Sequence, residues 1–297
     1  MLDPKAVSQG EALGLLARQV VEGFLSGEHK SPFRGFAVEF TQHREYAPGD
    51  DLRHLDWKVL ARSDRFYLKQ YEQETNFVCH LVVDGSESMR YGRGGATKLH
   101  YARQLAACLA YLVLHQRDAV SLVVFDNTVQ RFVPRTGAMG SIHNLMDVLA
   151  AYEPRARAAG ATAIGPVLHQ IASTTPRRGI VVVISDLLDD EAAVQSGIQH
   201  LRFIGHEVIV FQTMHPDELT FPFRGNVEFL GLEGLANLTT RPNELRKSYL
   251  DELEAFLTRT RRACENNRCH YVLADTGQPL AETLSGYLAF RERTHGR

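Results

Sequence analysis

Four stretches of the chain are almost uninterrupted Val, Ile, Leu and Phe: residues 77–84, 119–125, 180–185 and 207–213. A strand in the middle of a parallel sheet is covered by helices on both faces, so both alternating sets of its side chains are apolar and the run is continuous. Between these runs the apolar residues fall at helical spacing, over Lys98–His115, Ser141–Tyr152, Gly165–Thr174 and Asp190–Ile204. Leu99, Ala102, Ala106, Leu109 and Val113 form one stripe in the first of them. Strand and helix in alternation predict an α/β fold with a doubly wound, mostly parallel sheet flanked by helices. Thr128–Pro134 reads as a short strand hairpinned to its predecessor through Asp126-Asn127. Further on, the pattern predicts a strand at Val227–Leu232, a long helix from about Asn243 to Glu265, a short strand at His270–Leu273 and a helix at Leu280–Arg291.

The first quarter of the chain has a different texture. Residues 11–26 have apolar positions at helical spacing and Gly27 ends the segment. Phe36, Val38 and Phe40 alternate as in a half-buried strand, Pro48-Gly49 marks a turn, and Asp50 is placed to cap a helix through DLRHLDWKVLAR. Arg65 to Tyr71 is strand-like again. The expected division is a small N-terminal accessory α+β region over residues 1–76, the sheet domain over 77–276, and a C-terminal helix and tail over 277–297.

Composition narrows the partners. With 297 residues, 44% apolar and 23% charged, and a net charge of −2, the chain has no basic surplus to hold nucleic acid or an anionic membrane. No apolar run approaches the roughly 20 residues that span a bilayer. The N-terminus lacks a basic stretch followed by an apolar one, and a cytoplasmic location is expected. The four cysteines, Cys79, Cys108, Cys264 and Cys269, form no CxxC pair and fit ordinary packing better than a disulfide framework or a soft-metal site.

Candidate chemistry sits at strand ends. Asp84-Gly85-Ser86-Glu87-Ser88 follows the run FVCHLVV, Thr162 lies in GATAIG, and Asp186 closes GIVVVISD. Two carboxylates and three hydroxyls are hard oxygen donors that suit Mg²⁺, Mn²⁺ or Ca²⁺ rather than zinc or copper. In open α/β sheets, ligands collect beyond the carboxyl ends of the strands, where Asp84 and Asp186 are predicted to lie. The alternative for each residue alone is a helix cap or a loop hydrogen bond. With two acids only, a bound ion would retain charge and attract a further anionic oxygen.

The set Asp84, Ser86, Ser88, Thr162 and Asp186 resembles the metal-ion-dependent adhesion site of von Willebrand factor A domains. In that family the serines and threonine bind the ion directly, and the aspartates do so directly or through water. The resemblance implies the strand order 3-2-1-4-5-6 with strand 3 antiparallel, which sets the strands ending in Asp84 and Asp186 side by side. Ala161 departs from the second glycine that the family often has there. The segment from Gly27 to Glu74, with Glu39, Arg44, Tyr46, Pro48-Gly49-Asp50-Asp51, Arg53, Asp56-Trp57, Ala61-Arg62 and Glu74, is similar to the hallmark segment of the domain of unknown function 58 proteins. Such proteins are often bacterial and typically associated with MoxR-type AAA+ ATPases. The resemblance thus implies a non-enzymatic, metal-dependent adaptor that binds a MoxR-type ATPase and a client protein. Arg44, Arg53, Trp57 and Arg62 are candidate docking residues, since arginine and tryptophan dominate interface hot spots; the alternative is an internal ion-pair network. The competing class is a metal-dependent hydrolase or phosphatase. Against it, the chain has no Asp-x-Asp pair, no Gly-x-Ser-x-Gly elbow and no Walker lysine near Gly92-Arg93-Gly94-Gly95, which reads as a flexible loop.

Overall fold

The computed structural model describes residues 4–26, 39–45, 66–72, 78–93, 95–154, 163–175, 178–232 and 236–284. They fall into two compact units, one made of residues 33–77 and one of residues 1–32 with 78–297. The smaller unit contains strand β1 (Glu39–Glu45) and strand β2 (Tyr67–Glu72), paired antiparallel with a register irregularity between Phe40 and Gln42.

The larger unit opens with helix α1 (Pro4–Ser26) and continues with strand β3 (Val78–Asp84). A two-stranded ribbon, β4 (Gly92–Arg93) and β5 (Ala96–Thr97), leads into helix α2 (Lys98–His115). Strands β6 (Ala119–Phe125) and β7 (Val129–Thr136), helix α3 (Ile142–Ala151) and helix α4 (Ile164–Thr174) follow. Next come β8 (Ile180–Ser185), α5 (Glu191–Ile204), β9 (Glu207–Met214) and the one-turn helix α6 (Pro216–Thr220). A second ribbon, β10 (Val227–Phe229) with β11 (Leu238–Thr240), precedes helix α7 (Pro242–Asn266) and the last strand, β12 (His270–Asp275).

Six of these strands form one sheet in the order β12-β9-β8-β3-β6-β7. Counted along the chain this is 3-2-1-4-5-6, and β7 alone runs antiparallel to its neighbour, as the resemblance implied. The apolar runs occupy the central positions. Every residue of β3 and β8 is buried, because helices cover both faces. On one face Val82, Val123, Val181, Val183, Val208 and Val210 pack against Ile164, Val167 and Leu168 of α4 and Ile198 and Leu201 of α5. On the other, α2 lies on β3 and β6, and α1 packs over α2 and α3. Helices α4 and α5 cross closely: a Cβ on Gly165 would fall 2.6 Å from the carbonyl oxygen of Ala193, so only glycine allows it.

Two differences from the expected layout have simple causes. Helix α1 belongs with the sheet unit rather than with an accessory region over 1–76, since Leu13, Ala17 and Val21 bury one stripe of it. The glycine-rich stretch is not a featureless loop, because Gly92 and Arg93 pair with Thr97 and Ala96 and hand the chain directly to α2. Cys79, Cys108, Cys264 and Cys269 are buried free thiols, in keeping with a packing role. No described helix is long and apolar enough to cross a membrane.

Candidate functional site

Neighbouring parallel strands β3 and β8 end at the same edge of the sheet, so Asp84 and Asp186 emerge side by side. Both are essentially buried, at 0% and 1% exposed. Asp84 is the last residue of its strand, and the chain folds back on it: the Ser86 amide donates to Asp84 Oδ1 at 2.8 Å. The Ser185 hydroxyl, from the end of β8, donates to Oδ2 at 2.6 Å and so ties the two strand ends together. Ser86 Oγ and Ser88 Oγ lie 2.9 Å apart, two hydroxyls presented on one side of the turn.

Gly85 lets the turn sit this low. Its amide donates to the Phe125 carbonyl and its carbonyl accepts from the Tyr152 hydroxyl. A Cβ there would lie 2.3 Å from the Tyr152 ring. On the adjacent strand the chain after Asp186 turns through Leu187, which is buried with φ of 59°. A left-handed conformation at a branched residue costs roughly 1–2 kcal/mol. It is held by the Ser185 hydroxyl accepting from the Leu187 amide and by Asp186 Oδ1 accepting from the Leu188 amide.

The two carboxylates are compensated differently. Asp84 is surrounded by neutral donors; burial, and then the nearby Asp186 carboxylate, push its pKa up to about 7. Asp186 instead meets an ammonium. Lys98, the first residue of α2 and fully buried, donates from Nζ to Asp186 Oδ2 at 2.7 Å and to Glu218 Oε1 at 2.8 Å. Burial alone would lower the Lys98 pKa, but the Asp186 and Glu218 carboxylates outweigh it and hold the pKa above its ordinary value. Glu218 is fixed in turn by the capping box of α6, where its other oxygen accepts from the His215 amide. Lys98 pairs with two carboxylates, Asp186 and Glu218, and Asp84 is a third nearby, so two formal negative charges remain when all are ionised.

Thr162 lies outside the described residues, as do Arg53, Trp57 and Arg62. Arg44 is on β1, in register with Leu68. The amide of Ile164, the first residue of α4, donates to Asp189 Oδ2 at 2.7 Å in the loop after β8. That bond gives Asp189 a structural role, and Asp190 caps α5 by accepting from the Ala193 amide. The residues that local sequence did not reveal are Lys98, Glu218 and Ser185. Lys98 reaches partners 88 and 120 positions away, and no short-range pattern announces such a contact.

The donor set can be tested against a divalent ion directly. Among the described residues no group of three or more His, Cys, Asp or Glu is arranged to hold a metal ion. What is gathered is one buried carboxylate lacking a cation, two adjacent hydroxyls and a second carboxylate with one oxygen on an ammonium. Such oxygen donors around unrelieved negative charge fit a hard cation.

The strand order, the antiparallel edge strand and the loops at the carboxyl edge define a von Willebrand factor A-like α/β domain. A family model described as protein of unknown function DUF58 matches residues 42–256, and the chain belongs to that family. It is 28% identical over 228 residues to the uncharacterized proteins Mb1516 of Mycobacterium bovis and Rv1480 of Mycobacterium tuberculosis, covering 76% of this chain and 70% of each relative. Among solved structures, BatB from Bacteroides thetaiotaomicron aligns with a TM-score of 0.49 and 18% identity over 73% of this chain and 99% of that one. The SpRpn10 VWA domain aligns with a TM-score of 0.40 and 14% identity over 71% of this chain and 94% of that one.

Proposed function

We propose that this protein is a non-enzymatic, divalent-metal-dependent protein-interaction module, working in the cytoplasm as an adaptor between a MoxR-type AAA+ ATPase and a client. The observation that carries the reading is the unequal treatment of two buried neighbours: Asp186 has Lys98, and Asp84 has only hydroxyl and amide donors. Asp84, Ser86, Ser88, Thr162 and Asp186 would hold the ion, Mg²⁺ in the first instance, with Mn²⁺ or Ca²⁺ as substitutes. When bound, the ion supplies an electrophilic site that a partner's Asp or Glu carboxylate completes.

The chain's own residues do the rest. Ser185 and the Ser86 amide fix both oxygens of Asp84. Lys98 holds Asp186 Oδ2, and the Leu188 amide donates to Oδ1, so both oxygens of that carboxylate are fixed as well. The ATPase assignment comes from the family resemblance; Arg44, Arg53, Trp57 and Arg62 are proposed as further docking residues because arginine and tryptophan are typical hot-spot types. A non-catalytic role suits serines that are committed as ligands, with Asp189 and Asp190 tied to helix amides.

The test is capture from lysate by the full-length protein in Mg²⁺ and in EDTA, with an Asp84→Ala variant alongside. The expected result is a AAA+ ATPase retained in Mg²⁺ and released by EDTA or by the substitution. Equal retention under all three conditions overturns the metal-dependent reading. Magnesium-dependent phosphatase or nucleotidase turnover that disappears in Asp84→Ala would replace it with the hydrolase reading.

A further inference from the structure

The rim next to the Asp84 loop carries a second recognition feature. A cleft of about 760 Å³ lies between the β4 ribbon and the segment that leads into and along β10. Its walls include Arg90, Arg93 and Arg224 together with Tyr91, Phe223 and Phe229. Leu230, which also lines it, is 69% exposed. Leu230 thus adds an apolar side chain to the lip beside the Phe223 and Phe229 rings.

Charge gives the cleft a sign. Among the described residues, three arginines line it against one acid, Glu228. Arg93 leans toward Asp217 at 3.4 Å, while among the described residues none pairs with the guanidinium of Arg90 or Arg224. On the far side of the Lys98 cluster a second cleft, of about 690 Å³, has the opposite sign, with Asp189, Asp190, Glu191, Glu218 and Glu252 in its lining. There Arg259 is taken up by Glu191 and Glu252.

The metal rim and the arginine cleft are physically continuous. Tyr91 stands three residues after Ser88, and its ring centroid is 5.8 Å from Lys98 Nζ, the same ammonium that holds Asp186. Its other ring contact is with His215 at the start of α6. An acidic chain leaving the rim therefore meets arginines on one side and carboxylates on the other.

We infer that this cleft binds an acidic, extended peptide segment of the partner in which Asp or Glu alternates with Leu or Phe. The acids pair with Arg90 and Arg224, and the apolar side chains lie on Phe223, Phe229 and Leu230. Arginine forks bind carboxylates in two-point fashion, and aromatic walls supply the buried area that an ion pair at a surface lacks. The inference deepens the docking reading above, on which it rests for the acid that would sit at the rim itself.

The probe is a fluorescein-labelled nonapeptide, Ser-Asp-Leu-Asp-Phe-Glu-Leu-Asp-Ser, titrated with full-length protein by anisotropy in Mg²⁺ and in EDTA. Two control peptides replace the acids by Lys, or Leu and Phe by Ser. Binding of the first peptide alone is expected. It should weaken at least tenfold in Arg90→Ala/Arg224→Ala and several-fold in Leu230→Asp, with Mg²⁺ uptake unchanged in both; these residues are at the surface, and thermal melts matching wild type verify folding. No binding of the acidic peptide, equal binding of the Lys peptide, or affinity within twofold of wild type in the double-arginine variant overturns the inference. The two readings fail separately. If the protein takes up no Mg²⁺ but the peptide still depends on Arg90 and Arg224 in EDTA, the cleft stands and the metal reading falls. If Mg²⁺ binds and the arginines do not matter, only the cleft falls.

Discussion

Asp84 and Asp186 leave adjacent parallel strands at one edge of one sheet, and both are sealed from water, yet they are neutralised in opposite ways. Asp186 has a buried ammonium at 2.7 Å, itself shared with Glu218. Asp84 has the Ser185 hydroxyl and the Ser86 amide, which orient its oxygens without cancelling its charge. The first arrangement is complete within the chain. The second calls for a positive charge from outside, and it is the one flanked by Ser86 and Ser88. Proximity to a sheet edge therefore does not distinguish the two carboxylates; the missing counter-charge does.

Removing the internal cation should produce the largest effect. Lys98→Met leaves Asp186 and Glu218 together in a buried place, and breaking a buried pair by deleting one partner costs about 3–5 kcal/mol. Urea denaturation should show a loss of unfolding free energy of that size. A loss below 1 kcal/mol would mean that the ammonium does not compensate Asp186.

A second contrast lies within β3 itself, between Asp84 at its end and His80 in its middle. Burial, with His206 and Arg135 nearby, lowers the His80 pKa to about 4, so the folded protein keeps the ring neutral. The unfolded chain takes up the proton near its ordinary pKa of about 6.5. The stability His80 contributes is thus intact above pH about 6.5 and lost as pH falls toward 4, by up to about 3 kcal/mol. Comparing melts of wild type and His80→Asn from pH 7.5 to 4.5 tests the sign. Parallel curves would show that His80 does not drive the acid loss.

A smaller effect is expected at the turn. Gly85→Ala pushes a methyl group into the Tyr152 ring, and overpacking of this kind costs about 1–3 kcal/mol. Restoring space with Tyr152→Phe should recover little, since the clash is with the ring and not only the hydroxyl. Wild-type stability in Gly85→Ala would mean the turn is looser than its contacts imply.

Much of this architecture was legible in the chain. The four apolar runs became β3, β6, β8 and β9, because continuous β-branched sequence has no solvent-facing side to interrupt it. Helix ends followed equally well where a side chain does the capping, as Thr97 does before α2 and Asp190 before α5. The one-turn helix α6 was missed because its cap is a histidine and its length is below what periodicity detects. Of the site, Asp84, Ser86, Ser88 and Asp186 could be found because each follows a strand-like run. Lys98 could not. It is an ordinary basic residue at a helix start, and only the fold brings Asp186 and Glu218 to it. Asp189 and Asp190, adjacent acids in the loop after β8, are bound to the first turns of α4 and α5, and nothing local in the chain announces the Asp189 contact.

The most direct test of the unequal pair is isothermal titration of Mg²⁺ into metal-stripped wild type and into Asp84→Asn, which keeps the shape of the side chain and removes its charge. The account predicts saturable uptake of one ion by the wild type. It predicts none by Asp84→Asn, whose metal-free melting temperature should equal or exceed that of the wild type because an uncompensated buried charge has gone. Undiminished Mg²⁺ binding by Asp84→Asn would contradict it.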